Sequence, residues 1–281
     1  MNLAKYRNNI KETYPSVSEN DTTLIIAEVL NIPRTEIFLD QERIVTKAEM
    51  AKMDMLLFQR AENEPLQYLL GKAHFRNIEL EVGPGVLIPR PETEILVNEA
   101  LKHITGIESP KVCDLGTGSG AIALSIASEI EDSSVIGIDI SRDALVYAER
   151  NKVKNKIGNA DFILGNLFSP FEMSPEKRKF NAITANLPYI SDFLFKMLPD
   201  EIKDFEPETA LLAGDDGLEI IKKAAEHAKE YLSPGGAVFF EFSPEQENTM
   251  MQILTANNYS SPEIINDLTG RARIAVGYND N

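Results

Sequence analysis

The chain has 281 residues, 43% of them hydrophobic, a formal charge of -16 and a single cysteine, Cys113. That is enough apolar material for a substantial core, and the length suits two domains better than one. The acidic balance excludes broad attraction to phosphate backbones, one cysteine excludes an internal disulfide, and no run approaches the roughly 20 apolar residues that a membrane helix needs.

The amino terminus mixes Lys5, Arg7, Lys11 and Glu12 with several asparagines. It lacks the apolar centre of a signal peptide, so a cytoplasmic protein is expected, with no membrane partner. From Leu3 to about Gly71 the pattern is helical. Leu24, Ile25, Ala27 and Leu30 follow Asn20 and Asp21 as candidate caps, and Met50, Met53, Leu56 and Leu57 recur at helical steps. These methionines read as core filler. Next, Ile78, Leu80 and Val82 alternate with acidic residues as one face of a strand, and Gly83-Pro84-Gly85 turns the chain into Val86-Leu87-Ile88. The simplest expectation is a β-hairpin across that glycine-proline turn. Pro89-Arg90-Pro91-Glu92-Thr93-Glu94 then starts a helix whose acids suit its positive amino-terminal end.

Beyond Pro110, strands alternate with helices, the pattern of a mainly parallel sheet covered on both faces. Strands are expected at 111–114, 135–139, 161–164, 180–185 and 236–241, with two final runs at 263–265 and 274–277 closing the sheet as an antiparallel pair. Helices are expected at 121–130, 216–232 and 244–257, and after Ser141 as a cap.

The chemistry begins at the first of these strands. Asp114-Leu115-Gly116-Thr117-Gly118-Ser119-Gly120 puts glycines at alternate positions just before a helix, where backbone amides can approach a ligand closely. Asp139, ending the second strand, can hold both hydroxyls of a ribose. Together they read as a nucleoside site. The acid ahead of the turn repels pyrophosphate but suits the cationic amino-acid end of S-adenosylmethionine, which favours that cofactor over a dinucleotide. Asn166 can meet an adenine edge, with Leu167 and Phe168 packing nearby.

Asn186-Leu187-Pro188-Tyr189 follows the fourth strand, at the sheet edge where open α/β folds bind ligands. An amide that accepts and donates, a rigid proline and a flat ring could grip a planar amide or a base. His74, His103 and His227 receive no catalytic role, and cysteine and histidine do not approach zinc-ligand spacing, so no metal is expected.

In order and spacing, these segments resemble the class I methyltransferases that modify glutamine in peptide chain release factors, the PrmC/HemK family. The resemblance rests on Glu64-Pro65-Leu66-Gln67-Tyr68 with Gly71, residues 75–82, Leu87-Ile88-Pro89-Arg90-Pro91-Glu92-Thr93-Glu94, residues 114–120 and Asn186-Leu187-Pro188-Tyr189. It implies an α/β fold: a seven-stranded, Rossmann-like class I methyltransferase sheet with a small amino-terminal helical domain and a β-hairpin linker. The implied boundaries are 1–72 for a substrate-recognition domain, 73–90 for the linker and 91–281 for the methyltransferase domain. It further implies that Asn186, Pro188 and Tyr189 form the catalytic grip on a glutamine, and that Asn186, Leu187, Pro188 and Tyr189 bind substrate. The cofactor, released as S-adenosylhomocysteine, would meet Asp114, Gly116, Thr117, Gly118, Ser119, Gly120, Asp139, Asn166, Leu167 and Asn186. A release factor is the implied partner, and no stable nucleic-acid partner is expected.

This chain departs from the family's usual Asn-Pro-Pro-Tyr at Leu187, and Asn166-Leu167-Phe168 stands where many relatives have Asp-Trp-Phe. Enzymes that methylate adenine amino groups also use Asn-Leu-Pro-Tyr. An adenine methyltransferase and a non-catalytic nucleoside-binding module are therefore the rival readings.

Overall fold

The computed structural model describes residues 1–172 and 178–280. The chain packs as two compact units, one of residues 1–72 with 199–205, the other of 73–198 with 206–281. Among the described residues, no helix is long and apolar enough to cross a membrane.

The first unit is helical: α1 (Leu3–Thr13), α2 (Glu19–Leu30), α3 (Glu36–Leu39), α4 (Lys47–Ala61) and α5 (Leu66–Leu70). The cap of α2 is Ser18, whose side chain accepts from the Asp21 amide, so Asn20 and Asp21 lie inside the first turn instead of capping it. Helix α4 carries a reciprocal capping box between Thr46 and Glu49. Leu3, Ile25, Ile26, Ile37, Met53 and Leu57 form a fully buried core. Arg60 ties the helices further, bonding Asp21 at 2.8 Å and Glu201 at 3.1 Å.

A two-stranded sheet pairs β1 (Lys72–Phe75) with β2 (Ile78–Glu81). The hairpin therefore turns at Arg76 and Asn77, not at Gly83-Pro84-Gly85, and Val86-Leu87-Ile88 forms no strand. The reason lies in the donors. Arg76 adopts a φ of 49°, its amide donates to Glu94 Oε1, and its guanidinium forks onto Glu129. The Val86 amide instead closes a turn onto Gly83, the Ile88 amide is taken by Glu206 Oε2 at 3.1 Å, and Pro84 and Pro89 have none to offer.

The large sheet contains β3 (Lys111–Leu115), β4 (Ser134–Asp139), β5 (Ala160–Leu164), β6 (Phe180–Ala185), β7 (Leu232–Glu241), β8 (Ser260–Asn266) and β9 (Ala272–Asn279). Their order across the sheet is β5-β4-β3-β6-β7-β9-β8. The first five strands in that order run parallel, and β9 joins β7 and β8 antiparallel. This is the expected seven-stranded, class I methyltransferase-like α/β sheet. The remaining helices are α6 (Thr93–Ile104), α7 (Ala121–Glu129), α8 (Arg142–Lys154), α9 (Ser169–Glu172), α10 (Asp192–Phe195), α11 (Asp200–Lys203), α12 (Glu219–Tyr231) and α13 (Glu247–Ala256).

Helix α12 starts later than its apolar period suggests, because Gly214 and Gly217 hold φ values of 79° and 72° and Asp216 caps the Leu218 amide. Cys113 lies fully buried in β3, as a packing residue does.

Topology fixes the place of chemistry. From β3 the chain winds through α7, β4, α8 and β5, then crosses back to β6 on the other side of β3. The strand order reverses between the parallel β3 and β6, and a crevice opens beyond their carboxyl ends.

Candidate active site

Strand register brings the key segments to one edge. Leu115 lies opposite Ala185, and Phe240 lies opposite Ala185 from the other side. The next residues, Gly116, Asn186 and Glu241, consequently emerge side by side. Leu115 also faces Ile138, so Asp139 reaches the same edge.

A cavity of about 290 Å³ opens there, lined by Gly116, Thr117, Gly118, Ser119, Asp139, Asn166, Leu167, Asn186, Leu187 and Pro188. Asp114, Gly120 and Tyr189 are absent from its lining, although each holds a lining segment from behind. Gly120 starts α7 at φ 82°, where a Cβ would approach Leu124 and Phe162 to 3.0–3.1 Å. The glycine turn is built by conformation: Gly116 and Gly118 sit at φ 67° and 57°, and the Gly116 and Thr117 amides both donate to the Ile138 carbonyl.

Asp139 fastens the turn to β4. Its Oδ2 accepts from the Gly118 amide and its Oδ1 from the Ser141 amide, each at 2.8 Å. Burial raises its pKa, and those amides, with that of Ile140, pull it back. Each oxygen keeps lone-pair capacity for a ligand hydroxyl.

Asp114 is fully buried beneath the turn. Its Oδ1 accepts from the Thr184 hydroxyl at 2.8 Å, while Oδ2 and Thr117 Oγ1 have no hydrogen-bonded partner among the described residues. Burial pushes its pKa up to about 7 despite the opposing pull of two nearby hydroxyls, that of Thr117, close by but without a formed hydrogen bond, and that of Thr184, which is bonded. A buried carboxylate with an open lone pair suits a cationic ligand group. Together with a glycine cradle left open by missing Cβ atoms, this donor set fits the amino-acid end of S-adenosylmethionine.

At the other end, Asn186 Nδ2 donates to Thr93 Oγ1 at 3.1 Å. Tyr189 is packed against the core, its hydroxyl donating to Glu241 Oε1 at 3.2 Å. Burial, followed by the nearby Glu241 charge, raises the tyrosine pKa. Gln246 Nε2 donates to the Tyr189 carbonyl at 2.9 Å. Leu187 is only 4% exposed, and its Cδ2 would lie 3.0 Å from a Cβ on Gly116, so it packs the tetrapeptide onto the glycine turn. Leu167 lines the cavity at φ 49°, a left-handed conformation uncommon for leucine.

Several lining residues escaped the sequence reading. Val86, Leu87 and Pro89 reach the cavity because their segment is an irregular strap, and Ile140, Ser141, Ile220 and Lys223 come from elements far apart in sequence. Arg90 lines it too, ion-paired to the buried Glu206. Among these, Arg90 alone had a signal, in its place between two prolines before α6. His103 packs edge-on against Phe239, away from the cavity, and burial lowers its pKa.

Known proteins give the site its family. The chain matches a methyltransferase domain over residues 108–267 and the PrmC N-terminal domain over residues 3–71. A release factor glutamine methyltransferase of Thermodesulfovibrio yellowstonii is 37% identical over 254 residues, 90% of this chain and 89% of that protein. One from Clostridium acetobutylicum is 32% identical over 280 residues, covering 98% and 96%. Among solved structures, the hMettl16 catalytic domain in complex with a 3'UTR hairpin aligns at TM-score 0.56 and 13% identity over 84% of this chain and 83% of that one. A T. Thermophilus 16S rRNA methyltransferase in complex with AdoMet and guanosine aligns at TM-score 0.55 and 16% identity over 74% and 49%. Both share the fold. By sequence along nearly its whole length, this chain belongs to the release factor glutamine methyltransferase family.

Proposed function

We propose that the protein methylates the side-chain amide nitrogen of the glutamine in the Gly-Gly-Gln motif of peptide chain release factors, using S-adenosylmethionine. The observation that carries the reading is the position of Asn186: its amide is anchored by Thr93 at the rim of a cavity whose other wall is the glycine turn. Gly116, Thr117, Gly118 and Ser119 would cradle the cofactor's amino-acid end above Asp114. Asp139 would hold its ribose, and Asn166 with Leu167 its adenine. Gly120 shapes the turn from behind.

A glutamine amide is a poor nucleophile because its lone pair is delocalised into the carbonyl. Asn186 Oδ1 and the Pro188 carbonyl would accept the two N–H bonds of that amide, returning electron density to nitrogen and fixing its direction. Tyr189 would hold the tetrapeptide rigid from its buried side, while Leu187 joins it to the cofactor turn. When bound, S-adenosylmethionine supplies an electrophilic methyl group and leaves as S-adenosylhomocysteine, and the methylated amide nitrogen gives up one of its two protons to solvent. Holding both reactants in register can supply as much as ~7–11 kcal/mol of the barrier. Residues 1–72 would recognise the release factor, with 73–90 as the hairpin linker, in a cytoplasmic enzyme that needs no stable nucleic-acid partner.

The test incubates the protein with methyl-labelled S-adenosylmethionine, purified release factor, its Gln→Ala loop variant and bulk RNA. Label on the release factor alone, absent from the variant, is expected. Label on RNA would instead make the enzyme an adenine methyltransferase, and no label anywhere would leave a nucleoside-binding module.

A further inference from the structure

We propose that Glu241 is a positioning residue of the acceptor site: through Thr93 it fixes which way round the Asn186 amide is held, and through Tyr189 it anchors the end of the tetrapeptide. This rests on the reading that Asn186 Oδ1 accepts from the substrate amide. An asparagine side chain has nearly the same shape after a half-turn, yet the turn exchanges its oxygen for its NH2. Only one orientation presents an acceptor to a glutamine N–H. Thr93 alone cannot choose, because a hydroxyl can accept from the NH2 or donate to the oxygen.

Glu241 removes that freedom. It is 2% exposed at the end of β7, one residue beyond the register pair of Phe240 with Ala185, hence level with Asn186. An ionised carboxylate only accepts. Its Oε1 takes the Tyr189 hydroxyl at 3.2 Å, and Oε2 lies buried with no hydrogen-bonded partner among the described residues, leaving a lone pair for a neighbouring proton. The Thr93 hydroxyl is the group that meets this need: burial raises the Glu241 pKa, and the Thr93 and Tyr189 hydroxyls beside it pull it back by favouring the ionised form. Once its proton is directed to Glu241, Thr93 Oγ1 can only accept, and the Asn186 NH2 must face it at the observed 3.1 Å. Oδ1 is then turned toward the acceptor. The polarity runs one way, from Asn186 through Thr93 to Glu241.

Glu241→Gln keeps the shape but gives the end of the relay a donor, which frees the Thr93 proton to flip Asn186. We expect kcat on the release factor to fall roughly 10- to 100-fold, as misplacement of a reacting group does. The cofactor Kd and the KM for release factor should stay within about threefold, since the cavity wall is unchanged. Thr93→Val should lose kcat similarly, and Thr93→Ser, which restores the hydroxyl, should recover most of it. Melting temperatures of all three separate this from loss of fold; if Glu241→Gln does not fold, the Val and Ser pair decides. Full kcat in Thr93→Val, or equal loss in Thr93→Ser and Thr93→Val, overturns the inference. Asn186→Ala, run alongside, distinguishes the two levels: an active Asn186→Ala removes the underlying reading, whereas an inactive one beside a fully active Thr93→Val removes the relay alone.

Discussion

The two walls of the cavity are made by different physics. The wall proposed for the cofactor is backbone: three glycines at positive φ, amides fastened to Ile138, and an Asp139 carboxylate that pins Gly118. The wall proposed for the acceptor is a set of side chains drawn from distant segments, in which Thr93, Gln246 and Glu241 hold a four-residue piece of β6's extension. A backbone cradle tolerates almost no added atom but asks little of its neighbours' chemistry. A side-chain wall tolerates volume and depends instead on which atom donates. Mutations on the two sides should therefore separate, the first set acting on cofactor affinity and the second on turnover.

The sharpest break of that division is Asn186→Ala. It should reduce transfer to the release factor by roughly 10²- to 10³-fold, the loss seen when one preorganised polar contact to a reacting group is removed. Cofactor affinity by calorimetry should change little. A parallel collapse of both quantities would mean that the two walls act as one.

Asp114 tests the cofactor wall through pH. Burial lifts its pKa from 3.8 to about 7, so the folded state binds this proton more tightly than the unfolded chain does. The stability it contributes is fully present below the unfolded value and is lost as pH rises toward 7, at up to about 1.4 kcal/mol per pH unit. Asp114→Asn should flatten that part of the stability curve of the ligand-free protein, read as urea midpoints across the same range. Bound S-adenosylmethionine should offset the loss in the parent, because its cation favours the ionised carboxyl. A ligand whose stabilisation does not grow with pH would place its ammonium elsewhere.

These walls also differ in how far the sequence discloses them. Alternate glycines between an apolar strand and an apolar helix occupy consecutive positions, and so does the tetrapeptide; local pattern sufficed for both, and for most strands of the sheet. Thr93 falls in the 87–94 segment of the resemblance, and Glu241-Phe242-Ser243 with Gln246 is a looser match to the family's Glu-Ile-Gly before a Gln, but no local pattern discloses what any of the three does. Thr93 reads as the first residue of a helix and Glu241 as the end of a strand, and only the register of β7 against β6 brings Glu241 level with Asn186. Turn chemistry alone misplaces the hairpin for a similar reason, whereas the family resemblance puts it at 75–82. Gly83-Pro84-Gly85 is the stronger turn signal in one dimension, yet Arg76 takes the turn because Glu94 and Glu129, both remote in sequence, fasten it.

A smaller effect should follow from Gly118→Val. At φ 57° any side chain is strained by about 1–3 kcal/mol, although an added Cβ would meet nothing closer than Val86 Cγ2 at 3.9 Å. That strain is carried with or without cofactor and should appear as lost stability by denaturant midpoint, whereas the added side chain beside the cavity that Gly118 lines should weaken cofactor affinity, with kcat at saturating cofactor nearly kept. Loss confined to kcat would contradict the backbone assignment of this wall.

Least of all should change in Leu187→Pro, at the position where the walls touch. Leu187 is buried and packs toward Gly116, so its side chain faces the cofactor turn more than the acceptor. If it acts by packing, the substitution should cost about 1 kcal/mol of stability through lost apolar contact, measured by denaturant midpoint. The preference for release factor over RNA in the labelling assay should shift less than threefold. A proline at this site also removes an amide, but that of Leu187 enters no backbone bond among those of the described residues, so the wall loses no ladder contact. A large swing in acceptor preference would instead show that the second position of the tetrapeptide helps to choose between an amide and a base, and the separation of the two walls would end at that residue.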